Sequence, residues 1–118
     1  MNQVSKLGLI LALVMCGLGG TAAANEAADD SGMSYDDKLQ ACAACHGENG
    51  DKPLAPDYPI LAGQYADYLQ AALKAYRSGR REHPIMSMQV QALGLTDGDI
   101  AKLAQHFSSQ KGLRGLGE

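Results

Sequence analysis

The sequence predicts an all-α domain of three to five short helices joined by long ordered loops. Two segments carry apolar residues at the spacing of an amphipathic helix, and each of two helix starts has the pattern of a capping box. Between these segments the chain is rich in Gly and Pro, and it shows no alternating pattern typical of a β-strand. These observations favour one small helical domain.

Residues 1–24 have the layout of a secretory signal peptide. Lys6 precedes an apolar stretch over 7–18, and Ala22-Ala23-Ala24 forms a small-residue cleavage site. The apolar stretch is shorter than the ~20 residues that a membrane-spanning helix needs, so cleavage near Ala24 is favoured over a permanent anchor. We therefore expect export of the chain to the periplasm.

Cleavage at this point leaves 94 of the 118 residues, enough for one domain. The mature chain carries nine basic and thirteen acidic side chains, a formal charge of −4. Nucleic acid is therefore excluded as a partner, because binding to phosphates needs a basic surface. Residues 25–33 are expected to form a disordered acidic leader, 34–110 the domain and 111–118 a flexible tail.

The helices are predicted in order from their ends and apolar faces. Ser34 and Asp37 form a variant capping box that opens the first helix, which runs toward Cys45. A long ordered loop follows over 47–63, where Gly and Pro are dense. The second helix is expected to end at Gly79 and has one apolar stripe, formed by Tyr65, Leu69, Ala72, Leu73 and Tyr76.

Residues 80–95 are predicted to form a second loop, with at most a helical turn around 89–93. The last helix begins at Thr96, which repeats the capping arrangement with Asp99. Its apolar face is formed by Ile100, Leu103, Ala104 and Phe107.

The motif Cys42-Ala43-Ala44-Cys45-His46 is typical of covalent attachment of haem c. On a helical turn the two cysteines face one side, where both thiols can form thioethers with one porphyrin. His46 follows directly, so its imidazole is placed to bind the iron. The small residues Ala43 and Ala44 allow the ring to approach the backbone.

Three other interpretations of the cysteines are weaker. A thioredoxin-like redox pair needs a βαβ surround, which the pattern does not show. A structural zinc site needs four ligands, and the remaining histidines, His83 and His106, have no paired ligand spacing. A disulfide between Cys42 and Cys45 closes too small a loop to stabilise the domain.

The second axial position of the iron is predicted to be filled by a methionine, whose soft thioether suits a carrier of electrons. Met86 is favoured because Pro84 stiffens the approach to it, and Met88 is the alternative, with packing at the haem edge as its other role. His83 and His106 are weaker candidates, and His106 is expected to be a surface or hydrogen-bonded histidine.

With these motifs the sequence resembles the class I cytochromes c, in particular short bacterial single-haem types akin to the c-four, c-five and c-five-five-three cytochromes. The resemblance covers about residues 34–110 and includes the attachment motif, 56–64, Pro84-Ile85-Met86 and 95–100. It implies a class I cytochrome c fold around one haem. It also implies a proline carbonyl that accepts a hydrogen bond from the proximal imidazole, a position matched by Pro56. The match at Pro84-Ile85-Met86 supports Met86 as the ligand, whereas an alignment with the family that starts from Thr96 selects Met88.

The resulting hypothesis is a periplasmic electron carrier without enzymatic activity or a small-molecule substrate. Its expected partners are redox proteins: a membrane oxidoreductase or terminal oxidase, and a periplasmic reductase. The alternatives are a haem subunit of a larger oxidoreductase complex, or a haem enzyme or sensor with a labile sixth ligand.

Two interpretations of a group of basic residues stay open. They form a solvated face, or the charge of Arg80 or Arg81 offsets the haem propionates or steers an acidic partner. The other members of this group are Lys74 and Arg77.

Overall fold

The computed structural model describes residues 31–112, which form four helices: α1 (Tyr35–His46), α2 (Ala66–Ser78), α3 (Pro84–Ala92) and α4 (Asp97–Ser108). These residues contain no β-strand, so the predicted all-α class is confirmed. Across the same residues, each helix is too short or too polar to span a lipid bilayer. The predictions for the signal peptide, for residues 25–30 of the leader and for residues 113–118 of the tail lie outside this range.

Both predicted capping boxes are present. The Ser34 hydroxyl accepts a hydrogen bond from the backbone N–H of Asp37 (3.2 Å), and the Asp37 carboxylate accepts one from the N–H of Ser34 (3.2 Å). Thr96 and Asp99 repeat the exchange at 3.1 and 3.0 Å. In each case the side chains bond backbone N–H groups that have no partner within the helix, which sets where α1 and α4 begin.

Helix α3 lies where the sequence predicted a loop with at most one helical turn, so that prediction is wrong. The helix begins directly after His83, whose Nδ1 accepts hydrogen bonds from the backbone N–H groups of Ile85 and Met86, both at 3.3 Å. Pro84 occupies the first turn, where its missing N–H costs nothing. Histidine is not among the usual N-cap residues, which is why the sequence did not reveal this start.

The core lies where α2, α3 and α4 meet. Helix α2 packs against both α3 and α4, and the apolar stripes predicted for α2 and α4 supply most of the buried side chains. Tyr65 is the exception, because it lies just before α2 and is 73% exposed. The segment between α3 and α4 completes the core. The buried apolar residues are Ala62, Leu69, Tyr76, Val90, Leu93, Leu95, Ile100, Leu103, Ala104 and Phe107.

The long loop between α1 and α2 is held by backbone hydrogen bonds, as its predicted order requires. The carbonyl of Gly50 accepts from the N–H groups of Leu61 (2.8 Å) and Ala62 (3.1 Å). The N–H of Gly63 donates to the carbonyl of Phe107 at 3.0 Å, which ties the loop to the end of α4. The N–H of Leu54 donates to the carbonyl of Cys45 at 2.9 Å, which holds the loop against the C-terminal turn of α1.

Gly50 is expected to tolerate alanine much less well than Gly79 does. Both residues have positive φ, +73° and +76°, so alanine strains the backbone at either position by about 1 kcal/mol. A Cβ at Gly50 would also lie 2.8 Å from Cδ1 of Phe107, whereas a Cβ at Gly79 meets nothing within 4 Å. We expect Gly50→Ala to lower the free energy of unfolding by about 1–3 kcal/mol more than Gly79→Ala does. Denaturant unfolding of both variants measures this, and equal losses would contradict it.

Candidate functional site

The last turn of α1 carries the two cysteines and the histidine of the attachment motif. Cys42 and Cys45 lie at i and i+3, are not joined to each other in a disulfide, and are partly buried. Burial, followed by the nearby charge of Cys45, raises the pKa of Cys42 to about 11. Before haem is attached, the Cys42 thiol is therefore neutral at physiological pH, as expected for a sulfur that faces an apolar cavity.

His46 ends α1 with a buried imidazole that is 7% exposed. Its Nδ1 lies 2.8 Å from the carbonyl oxygen of Pro59. Because a carbonyl can only accept, the proton of this hydrogen bond belongs to Nδ1. The lone pair of Nε2 is then available for a metal, and the ring is held in one orientation.

The residue that accepts this hydrogen bond is Pro59, so the assignment of that role to Pro56 is wrong. Pro56 lies in a turn closed by the bond from the N–H of Tyr58 to the carbonyl of Ala55 (3.1 Å). A proline in the second position of such a turn sets its backbone angle. The turn reverses the chain, and the next proline presents its carbonyl to His46.

Two adjoining cavities open beside the attachment motif, with volumes of about 290 and 190 Å³. They share part of their walls, and both extend over apolar side chains of the core. The residues that line both are Cys42, His46, Pro59, Leu73, Tyr76, Arg81 and Met86. The cavities therefore form two lobes of one cleft with thiol, imidazole and thioether groups in its walls.

The two candidate methionines lie on the same helix in different surroundings. Met86 packs against the core and lines both cavities together with His46. Met88 lines neither cavity and is 60% exposed. Residues at i and i+2 of a helix point in different directions, so only one of the two can face the cleft.

The other two histidines differ from what the sequence suggested. His83 lines the larger cavity, but its Nδ1 caps α3. His106 lies against Phe107, with ring centroids 5.0 Å apart, and lines neither cavity. Its Nε2 is buried and has no hydrogen-bond partner among residues 31–112, so the expectation of a surface or hydrogen-bonded histidine is wrong.

The groups in the cleft fit a haem better than a bare metal ion. Within residues 31–112 no cluster of three or more His, Cys, Asp or Glu side chains could hold a metal ion. The cleft instead combines two thiols on one helical turn, an imidazole oriented by Pro59 and a mainly apolar wall. Thioether attachment of a porphyrin uses the thiols, the apolar wall suits its ring, and the imidazole suits its iron.

An all-helical domain with this motif beside an apolar cleft defines a haem protein of the c type. The family model for cytochrome c matches residues 34–111. The chain belongs to the cytochrome c family, and its cofactor is one haem c, attached covalently through Cys42 and Cys45. It is a haem protein of the electron-transfer class.

Individual relatives agree with this assignment. The chain is 47% identical over 77 residues to cytochrome c-554(548) of Halomonas halodenitrificans, an alignment that covers 64% of this chain and 92% of the relative. It is 37% identical over 114 residues to cytochrome c4 of Pseudomonas aeruginosa, which covers 94% of this chain and 50% of the relative. The chain thus spans about half the length of that cytochrome c4.

A third similarity is to a protein named for its role. The thiosulfate dehydrogenase electron acceptor of Thiomonas intermedia is 36% identical over 73 residues, 61% of this chain and 33% of the relative. The resemblance to short bacterial class I cytochromes c that the motifs suggested is confirmed by these relatives.

Two residues that shape the site were not found from the sequence. Pro59 accepts the hydrogen bond from His46. In the sequence, this role is indicated only by the position of Pro59 directly after the turn at 55–58. Lys38 lies on α1 one turn before the motif, fully buried, and its Nζ lies 2.8 Å from Oδ2 of Asp99 at the start of α4. A single lysine within a helix gives no sign of such a contact in the sequence.

Proposed function

We propose that the mature chain is a periplasmic carrier of single electrons in which His46 and Met86 are the two axial ligands of the haem iron. Bound haem c supplies a metal centre that takes up and releases one electron. The observation that supports this most directly is that His46 and Met86 both line each of the two cavities. A carrier needs both axial positions filled by the protein, which closes the iron to small ligands.

The hydrogen bond from Nδ1 of His46 to Pro59 supports the role of His46. It fixes the tautomer that leaves Nε2 free, and it makes the imidazole a stronger electron donor. Because the loop that carries Pro59 is tied to the end of α4, the ring orientation depends on the tertiary fold and not on α1 alone. A rigidly held ligand keeps the structural change between the two oxidation states small.

The thioether of Met86 supplies the soft ligand that favours ferrous iron and raises the reduction potential. Helix α3 holds this residue against the core, and His83 sets the start of the helix by accepting from the N–H of Met86 itself. The same features restrict how far the thioether can move. Exchange of the ligand for a diatomic gas is then disfavoured.

The partners follow from the redox role. We propose that the protein exchanges electrons with a membrane oxidoreductase or terminal oxidase and with a periplasmic reductase. The relative named as the electron acceptor of thiosulfate dehydrogenase supports a dehydrogenase as one class of donor. It also favours the second candidate, a haem subunit of a larger oxidoreductase complex. Size-exclusion chromatography of native extract separates them, since a carrier elutes as a small free protein.

Carbon monoxide tests the carrier against a haem enzyme or sensor. We expect the reduced native protein to keep its visible spectrum after carbon monoxide is added, because both axial positions are occupied. Reduced protein that has been unfolded in denaturant serves as the positive control, since loss of the methionine ligand opens the iron. Rapid and tight binding by the native protein would show that the sixth position is labile and would exclude a carrier.

A further inference from the structure

The first turn of α3 is closed by hydrogen bonds between His83 and the residues that follow Pro84. Nδ1 of His83 accepts from the backbone N–H groups of Ile85 and Met86, both at 3.3 Å. The backbone N–H of His83 donates to the Ser87 hydroxyl at 3.0 Å, and the N–H of Ser87 donates to the carbonyl of His83 at 2.9 Å. This exchange resembles a capping box in which the returning side chain comes one residue later than usual. The backbone of Met86 therefore lies within a closed set of bonds that runs from His83 to Ser87.

Helix α3 needs its cap more than α2 needs one. It has nine residues where α2 has thirteen, and the N-cap residue of α2, Tyr65, makes no side-chain hydrogen bond to its helix. A short helix depends on its ends and on packing, because few hydrogen bonds offset the ordering of its first turn. Ile85, Ser87 and Val90 also have a lower helix propensity than Ala or Leu. Loss of the His83 side chain is therefore expected to loosen the first turn of α3.

The turn that His83 caps also forms part of the cleft wall. His83, Ile85 and Met86 line the larger cavity. His83 is exposed, whereas Met86 is partly buried and packs against the core. Dense packing leaves the Met86 side chain little room to withdraw by rotation alone. Withdrawal of its thioether from the cleft therefore requires the backbone of this turn to move, which breaks the hydrogen bond from the N–H of Met86 to His83.

We propose that His83 is a positioning residue that keeps the thioether of Met86 at the iron, through the cap that holds the Met86 backbone. The inference rests on the proposed function, since it takes Met86 as the axial ligand. The bonds to His83 are made when the thioether faces the cleft and are lost when it withdraws, so they favour the closed site over an open one. The linkage is reciprocal: a thioether bound to iron in turn stabilises the cap.

Titration of the oxidised holoprotein with imidazole measures how readily Met86 leaves. Imidazole binds the ferric iron only in molecules whose thioether has withdrawn, so its apparent affinity is proportional to the open fraction. His83→Ala removes the acceptor, and we expect the Kd of imidazole to fall about fivefold, the factor that corresponds to the loss of a typical N-cap. His83→Asn restores a side-chain oxygen of the kind favoured at N-caps. Its Kd should return to within about twofold of the native value.

Two controls separate an effect through Met86 from a general loss of stability. Thr96→Ala removes the side-chain cap of α4, a helix that carries neither proposed axial ligand. It should lower the stability of the domain by a similar amount but change the Kd of imidazole by less than about twofold. In the Met86→Leu background no thioether competes for the iron. His83→Ala should therefore change the Kd there by less than about twofold as well.

Several results would overturn the role of His83. They are an unchanged Kd in His83→Ala, an equal fall in Thr96→Ala, no recovery in His83→Asn, or a full effect in the Met86→Leu background. The absorption band of sulfur bound to ferric iron keeps these results separate from the proposed function. If the band is present in the native protein and lost in Met86→Leu, an unchanged Kd in His83→Ala refutes only the role of His83. If Met86→Leu retains the band, the ligation on which the inference rests is wrong.

Discussion

Replacing Met86 with leucine is expected to lower the reduction potential by on the order of 100 mV, within the range of ~0.8 V that axial ligands control. Leucine has nearly the same volume, so the packing of α3 against the core should change by less than about 1.5 kcal/mol. The fall in reduction potential therefore measures the effect of removing the sulfur ligand and not a change in the fold. The reduced variant should also bind carbon monoxide, which redox titration and the visible spectrum would measure.

Met88→Leu is the matched control for this change. Met88 lies two residues further along the same helix and is 60% exposed. Its replacement removes the same sulfur from the same element without opening the cleft, so the spectrum and the potential should stay as in the native protein. If Met88→Leu changed the spectrum and Met86→Leu did not, the alignment that counts back from Thr96 would be correct and Met88 would be the ligand.

A third variant separates ligand loss from local disorder. Met86→His replaces the thioether with an imidazole at the same position, and two imidazoles hold iron at a lower potential than imidazole and thioether together. We expect this variant to remain closed to carbon monoxide while its potential falls. A variant that is open to carbon monoxide would mean that position 86 does not reach the iron.

The features predicted correctly depend on neighbours in the sequence. A capping box is complete within four residues, so Ser34 with Asp37 and Thr96 with Asp99 reveal the starts of α1 and α4 without any tertiary information. The attachment motif likewise lies within a single helical turn. Hydrogen bonds and spacings between residues close in the sequence can therefore be predicted from the sequence alone.

The features that were missed depend on contacts between distant segments. Helix α3 begins with an unusual cap, and its stability comes from packing against α2. The hydrogen bond from His46 joins residues 13 positions apart, so the shape of the turn between them decides which proline carbonyl accepts it. The contact between Lys38 and Asp99 spans 61 residues. No pattern along the chain encodes these distances.

Lys38→Met is expected to lower the free energy of unfolding by about 3 kcal/mol. Lys38 has no exposed surface, and Asp99 keeps 13% of its side chain exposed. Methionine fills the volume of the lysine stem but leaves the partly buried carboxylate at the start of α4 without its cation, which is destabilising. Denaturant unfolding of the holoprotein measures the loss. Lys52→Met, at an exposed lysine in the loop, should change stability by less than about 0.5 kcal/mol.

A double variant tests whether the effect belongs to the ion pair. Asn in place of Asp99 still offers an oxygen to the N–H of Thr96 but carries no charge. Lys38→Met combined with Asp99→Asn should therefore recover at least about 1 kcal/mol relative to the sum of the single changes. Strict additivity would mean that Lys38 stabilises the protein through packing alone.

Acid should reveal the same pair. Partial burial raises the pKa of Asp99, but the hydrogen bonds from Lys38 and Thr96 outweigh it, so the pKa lies below its ordinary value of 3.8. A carboxylate with a lowered pKa in the folded state contributes stability above its unfolded pKa, and that contribution is lost as the pH falls through the folded value. Lys38→Met removes part of the cause and brings the folded pKa closer to 3.8. Below pH 4, the free energy of unfolding of Lys38→Met should therefore fall less steeply with pH than that of the native protein. Equal slopes in the two proteins would show that the Lys38 ammonium does not act on Asp99.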